Sequence, residues 1–400
     1  MRSIKLLKNT VQNYAWGSPT AIPELLGEEN PTLEPKAELW MGAHPKASSL
    51  IKYDGRWLPL ADLIAEYPQE ILGIKGALSF NSKLPYLFKV LAAAKPLSIQ
   101  AHPSLNQARV GFEKEFARGV AMDAPDRNYR DKNHKPECIC ALSPFWAMHG
   151  FRDIPEILAK IDKYCPVELA AEQNLLKKNP NSEGLKRFFT VLMTMDSQRQ
   201  KQVIDEAVRK ARQMPDDHMV SYWMTRLSNE YPSDIGIFSP LLLNLIELKP
   251  GDALFLPAGE LHAYLEGVGM ELMANSDNVL RGGLTSKHID VPELLKVVNF
   301  NPRPVNVLKA VEKNNNERVY ASDADEFVLS VVCASAGNPY QSSESRSVEI
   351  LLCTEGTACL KDKGTQELFN IKKGDSVIIP AAVVGYSISG NALIYKASVP

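Results

Sequence analysis

At 400 residues the chain is longer than one hydrophobic core usually supports, so two or three domains are expected. With 45% hydrophobic residues, 23% charged residues and a formal net charge of -2, it has no broad basic field for nucleic acid or an anionic membrane, and any phosphate must be recognised by a few placed cations. No apolar run of about 18 residues occurs, and MRSIKLLKNT lacks a long apolar core before a small-residue cleavage site, so the expectation is a cytoplasmic protein acting on a small molecule, with neither nucleic acid nor membrane as partner.

From residue 8 to about 150, short apolar runs (SSLIKY, PLSIQA, ECICAL, FWAMHGF) alternate with Pro- and Gly-marked turns, the pattern of a β-rich region. Within it, LSIQAHPS (97 to 104) carries a Gln and a His two positions apart. Period-two alternation puts Ser98, Gln100 and His102 on one face. DKNHKPECICAL adds an acid, Glu137, at the head of an apolar strand. From 154 to about 231 the apolar spacing becomes three and four (EILAKIDKY, ELAAEQNLLKK, EGLKRFFTVLMTM, RQKQVIDEAVRKARQM), which predicts a helical block with one apolar stripe per helix. Strands return at SPLLLNLIELKPGDALFLPAGELHAYLEG, a helix is expected at DVPELLKVV, and the last 90 residues are β-rich.

The fold class is therefore mainly β with an α-helical insertion: two jelly-roll β domains plus one helical domain. The boundaries read as 1–150 with 238–310 for the first, discontinuous β domain, 151–237 for the inserted helices and 311–400 for the C-terminal β domain. An internal repeat supports the duplication. LKPGDALFLPAGELHAYLEG (248 to 267) aligns without gaps on IKKGDSVIIPAAVVGYSISG (371 to 390). His262 of the first copy falls opposite Gly385 of the second, so the second barrel is expected to hold no metal.

The first copy, with Gly251, Pro257, Gly259 and His262 at fixed spacing, resembles the second motif of the cupin superfamily, whose jelly rolls grip a metal with imidazoles and a carboxylate. Gln100, His102, Glu137 and His262 are the candidate ligands. Two imidazoles, one carboxylate and an amide oxygen suit Zn²⁺ and leave it a net positive Lewis acid. Cys138 and Cys140 form CxC rather than CxxC. With only six cysteines in the chain, packed thiols in a reducing compartment are the expectation.

QNYAWGS, AELWMGAHPKAS, FKVLAAAKPLSIQAHP, NYRDKNHKPE and MANSDNVLRGGLTSKHIDVPELL together resemble the type I mannose-6-phosphate isomerases of the enterobacterial kind, from about residue 8 to the C-terminus, with departures at Gly282 and Ser286. The resemblance implies zinc-dependent interconversion of mannose 6-phosphate and fructose 6-phosphate, by ring opening and C1/C2 proton transfer through a cis-enediol, with one zinc per chain. It implies the same four ligands, with Arg281 as the active-site arginine, Asp277 for ring opening and Glu271 near the metal. The proton carrier is expected to be His134 or Lys89, the latter because a buried ammonium has a depressed pKa. Lys135 and Lys287, beside Arg281, are the cations placed near the 6-phosphate, with Ser98 as a donor. His44 and Trp40 are candidates for the pocket wall. The rival readings are another metal-dependent cupin enzyme (a sugar-phosphate epimerase or dioxygenase) and a non-catalytic sugar-binding cupin. Oligomeric state is not readable from the sequence; a monomer is favoured.

Overall fold

Apolar residues run without interruption through YLFKVLAA, and such a run makes a strand buried on both faces. In a computed structural model of the chain, which describes residues 1–214, 218–314 and 316–400, that strand is Tyr86–Ala93, buried at every position. It lies in a 12-stranded sheet system organised around one long strand, His262–Ala274, which changes partners along its length. Its C-terminal half pairs with Tyr86–Ala93 and Glu137–Ala141. Its first residues pair instead with Phe145–Phe151 and Ile99–Ala101, so that His262 lies between His149 and Gln100. One strand thereby gathers segments more than 150 residues apart in sequence.

The helical pattern of the middle segment matches helices Ile154–Tyr164, Ala170–Lys178, Ser182–Thr194 and Ser197–Arg212, followed by His218–Glu230. Asn181 and Asp196 cap two of them, each accepting from backbone N–H groups of the first turn. The buried stripe of Ser197–Arg212 is Val203, Ile204, Ala207, Val208 and Ala211, the spacing of three and four that one helix face requires. These side chains share a core with Ile99, Ala101, Leu261, Ala263 and Leu280. The helices thus cover the outer face of the strands that carry Gln100, His262 and Arg281, and leave the opposite face to the site.

The second β body is an 11-stranded system in which Glu349–Asp362 and Tyr386–Ser398 form the longest ladder. Both copies of the internal repeat fold alike. Gly251 and Gly374 take φ of 88° and 91°, and in each turn the following Asp accepts from the backbone N–H three residues earlier, Asp252 from Lys249 and Asp375 from Lys372. The N-terminal strand Lys5–Lys8 joins this C-terminal sheet, with Lys5 opposite Ile378, and on its other side pairs with Leu50–Tyr53. The two β bodies meet over an apolar seam in which Phe88, Cys138, Met270 and Leu272 pack with Ile350, Leu352 and Tyr395. Cys138 and Cys140 are buried free thiols in that seam, with Cys140 Sγ 3.2 Å from Tyr320 Oη.

Candidate metal centre

Alternation on Ile99–Ala101 sends Ile99 and Ala101 toward the helices, so Gln100 faces the other way. On that side His102, Glu137 and His262 come together, all buried, with one potential ligand atom from each lying within 4.8 Å of the others. His102 Nε2 is 3.3 Å from Glu137 Oε1, and His262 Nε2 is 3.5 Å from Oε2. Each ring is fixed from behind. His102 Nδ1 donates to the Asn278 carbonyl at 2.7 Å and His262 Nδ1 to that of Glu260 at 3.0 Å. A carbonyl oxygen only accepts, so Nδ1 carries the proton in both rings and the Nε2 lone pairs turn toward the carboxylate. Burial, followed by the charge of Lys135, lowers the His102 pKa to about 4, which keeps the ring neutral. His102 Nε2 is buried with no hydrogen-bond partner, an orphaned acceptor that a cation would satisfy.

Burial works to raise the pKa of Glu137, but Lys135 and the two histidines outweigh it and hold the carboxyl well below its usual range. Two imidazoles and one carboxylate are a donor set for zinc. Gln100 sits opposite both His262 and Arg281 in the strand ladders. Its amide nitrogen donates to Ser98 Oγ at 3.1 Å, and among the described residues no hydrogen bond uses its amide oxygen, the atom a metal would need.

Around this set the proposed catalytic residues separate. Lys89 lies directly opposite Glu271 across the ladder and makes a 2.7 Å contact to its Oε2, with Glu38 Oε1 at 3.8 Å. Burial alone would depress the Lys89 pKa, as the sequence reading had it, but the two carboxylates reverse the sign and the ammonium is held above its ordinary value. The expectation of a depressed Lys89 pKa is therefore corrected: counter-charges, which the sequence did not reveal, decide the direction. His134 is engaged by Glu326 Oε1 at 2.6 Å, a carboxylate outside the ligand set. Lys135 reaches Glu137 Oε1 at 2.7 Å, so its ammonium stands at the ligand cluster.

Asp277 is bonded to Lys46 at 2.8 Å and lies 3.7 Å from His44 Nε2. Burial opposes ionisation there, yet His44 and Lys46 keep the carboxyl well below its usual range. Trp40 closes this wall, its ring 4.8 Å from that of His44 and its Nε1 donating to Glu38 at 2.6 Å. The Arg281 side chain has no ion pair or hydrogen bond among the described residues, and burial, then the neighbouring Arg130, lowers its pKa. Lys287 is lowered by partial burial and then by Arg281, Arg130 and Lys46. Only Lys46 of these four cations has a carboxylate partner among the described residues, so the group forms an uncompensated positive patch suited to an anion.

Sequence reasoning missed Glu38, Lys46, Arg130, Tyr264 and Asn278. Tyr264 Oη lies 3.4 Å from Glu137 Oε2, and the Asn278 side chain accepts from Arg130 N while its backbone orients His102. Asn278 stands inside the quoted SDNVLRGGL stretch and Arg130 inside NYRDKNHKPE, so the signal was present.

A buried His-Glu-His set in a β body, beside the cations Arg281, Arg130 and Lys287 that have no counter-charge among the described residues, defines a metal-binding enzyme for an anionic substrate. Family models for phosphomannose isomerase type I match in three parts: the catalytic domain over residues 4–154, the helical insertion domain over 167–243, and a mannose-6-phosphate isomerase cupin domain over 317–398. The chain is 44% identical over 394 residues to mannose-6-phosphate isomerase of Escherichia coli (strain K12), covering 98% of both, and 34% identical over 404 residues to that of Homo sapiens, covering 94% of this chain and 93% of the human one. Among solved structures, a mutant of phosphomannose isomerase from Salmonella typhimurium (39% identity) and a zinc-bound mannose 6-phosphate isomerase (40% identity) each superpose with a TM-score of 0.92 over 99% of both chains. The chain belongs to the type I phosphomannose isomerase family, and its fold is the mainly β, cupin-containing fold with a helical insertion expected from the sequence.

Proposed function

We propose that this chain interconverts mannose 6-phosphate and fructose 6-phosphate, with one zinc ion held by Gln100, His102, Glu137 and His262. The observation that carries the proposal is the convergence of His102, Glu137 and His262 with both Nε2 lone pairs turned inward, in a chain 44% identical over its length to a mannose-6-phosphate isomerase. Bound there, zinc supplies Lewis acidity toward the substrate oxygens that carry charge in the enediol.

The chain's own residues supply the rest. Asp277, kept ionised by His44 and Lys46, accepts the hydroxyl proton as the ring opens. Arg281 stabilises the oxyanion that forms, and Lys287 holds the phosphate with Arg130 and Lys46. Ser98 adds its hydroxyl hydrogen, since its oxygen already accepts from Gln100. Lys89 and Glu271, in contact at 2.7 Å, move the proton between C2 and C1 as one unit: the Glu271 carboxylate accepts it beside an ammonium that the pair holds charged. His134, held by Glu326, and Lys135, held by Glu137, are positioning residues in this reading. The working division is 1–150 with 238–310 for catalysis, 151–237 for the inserted helices and 311–400 for the buttressing barrel. The enzyme acts as a monomer in the cytoplasm. Among the described residues no helix is long and apolar enough to cross a membrane. Membership of the isomerase family disfavours the dioxygenase, epimerase and purely binding readings.

The test is a coupled assay for fructose 6-phosphate formed from mannose 6-phosphate, run before chelation, after it and after zinc is restored. Turnover should disappear and return. Turnover that persists in fully stripped protein refutes the proposal.

A further inference from the structure

Asp131 and Asn278 stand in two of the stretches that led to the site, NYRDKNHKPE and MANSDNVLRGGL, yet neither is a candidate ligand. Asn278 is fully buried, and each of its polar atoms is bonded. Its amide oxygen accepts from the backbone N–H of Arg130 at 2.7 Å and of Asp131 at 3.2 Å, and its amide nitrogen donates to the carbonyls of Asp131 at 2.9 Å and Asn133 at 2.8 Å. Its backbone N–H donates to Ser276 Oγ at 3.2 Å, and its carbonyl is the one that fixes the His102 ring. Asp131 ties the same two segments from the other side. Its carboxylate accepts from the backbone N–H of Asp277 at 2.8 Å, from that of Asn133 at 2.9 Å and from Ser276 Oγ at 2.9 Å.

Neither 130–133 nor 276–278 lies in a helix or strand, so no ladder of backbone bonds holds them, and these side chains take that place. What the two segments carry is functional. One leads from Arg130 into Glu137, the other from Asp277 into Arg281. Arg130 is fixed at both ends, because its guanidinium also donates to the carbonyls of Met122 at 2.9 Å and Ala124 at 3.1 Å. Asn278 therefore bonds a metal-ligand ring with its carbonyl and the main chain of a patch cation with its amide. A sugar phosphate has a fixed length between its reacting oxygens and its phosphate, so the spacing that Asn278 sets governs how well one molecule can engage both ends.

We propose that Asn278 and Asp131 are positioning residues, Asn278 setting His102 against Arg130 and Asp131 setting Asp277. The roles of those three partners are the ones given under the proposed function, and the inference rests on that reading. The test uses zinc-saturated full-length protein, assayed well below its melting temperature. Asn278→Ala should weaken zinc about tenfold or more, since partners that orient a ligand are typically worth 10–100-fold, and should raise KM for mannose 6-phosphate by a similar factor. Asp131→Asn offers one oxygen where three donors need acceptors, so it should lower kcat about tenfold through Asp277 and leave KM within about twofold. If Asn278→Ala does not fold, Ser276→Ala removes one hydroxyl shared by the two segments and should move zinc affinity and KM in the same directions. Zinc affinity is read by competition with a chelator, without turnover, so it judges the role of Asn278 separately from the isomerase reading. Folded variants whose zinc affinity, KM and kcat all stay within about twofold of wild type, even if they melt earlier, overturn the proposal.

Discussion

Replacing Lys89 by Met should destabilise the protein in a way that depends on pH. Lys89, Glu271 and Glu38 are all buried, at 6%, 3% and 8% exposure, and the ammonium is the cation within reach of both carboxylates. Methionine keeps most of the volume and removes the charge, leaving Glu271 and Glu38 in a low-dielectric site. Breaking a buried pair in this way costs about 3–5 kcal/mol when the remaining group stays ionised. The carboxyls have an escape, which is to bind a proton, so their folded-state pKa values should rise above the unfolded value of about 4.3. A group whose folded pKa is raised favours the native state most below its unfolded pKa and loses that contribution as pH climbs through the folded one. The deficit of Lys89→Met relative to wild type should therefore be near its full size at about pH 8 and shrink toward about pH 5.5. The assay is urea denaturation of metal-stripped protein followed by tryptophan fluorescence at several pH values. A second change, Glu271→Gln, should recover part of the loss, because it removes one of the two stranded charges. A deficit below about 1 kcal/mol that does not vary with pH would show that the pair is hydrated, contrary to the burial on which the reasoning rests.

His262→Ala removes a ligand whose ring is already aligned by the Glu260 carbonyl, so zinc content after dialysis, read by atomic absorption, should fall with turnover; full activity would contradict the ligand assignment. Arg281→Ala should keep the metal and lose about 10²–10³ in kcat, since this guanidinium has no structural partner among the described residues; coincident loss of zinc would place Arg281 in the fold instead. Lys287→Ala, at an exposed position near Arg281, should chiefly raise KM, and a change confined to kcat would count against a phosphate role. Tyr264→Phe should shift stability by less than about 1 kcal/mol, because its contact to Glu137 is long at 3.4 Å; a larger loss would mean the hydroxyl orients the carboxylate.

Local periodicity carried most of what could be read from the chain. Alternation turned Gln100 away from the helix-facing Ile99 and Ala101, the three-four spacing marked the helices, and the Gly-Asp turns of the repeat fold as a pair. What it could not carry is anything set by pairing between distant strands. Lys5–Lys8 reads as one more N-terminal strand, yet its register partner lies more than 370 residues away in the C-terminal sheet. Glu38 reads as an ordinary acid beside a tryptophan; only the ladder that sets Leu39 against Val90 and Trp40 against Lys89 brings it to the ammonium.

The Lys89 correction shows where the physics turned. Burial could be inferred from an apolar run, and by itself it predicts a neutral amine. The pKa of a buried group depends equally on the charges that face it, and those arrive on other strands: Glu271 from the long strand at 2.7 Å, Glu38 from the strand on the other side. Within the pair the Glu271 carboxyl is pushed upward, by burial first and by Glu137 against the pull of Lys89. Glu137, which by contrast faces two histidines and Lys135, is pushed down. The same body thus holds one carboxylate biased toward protons and one biased toward a cation, the split on which the proposed roles of the Lys89–Glu271 pair and of Glu137 rest.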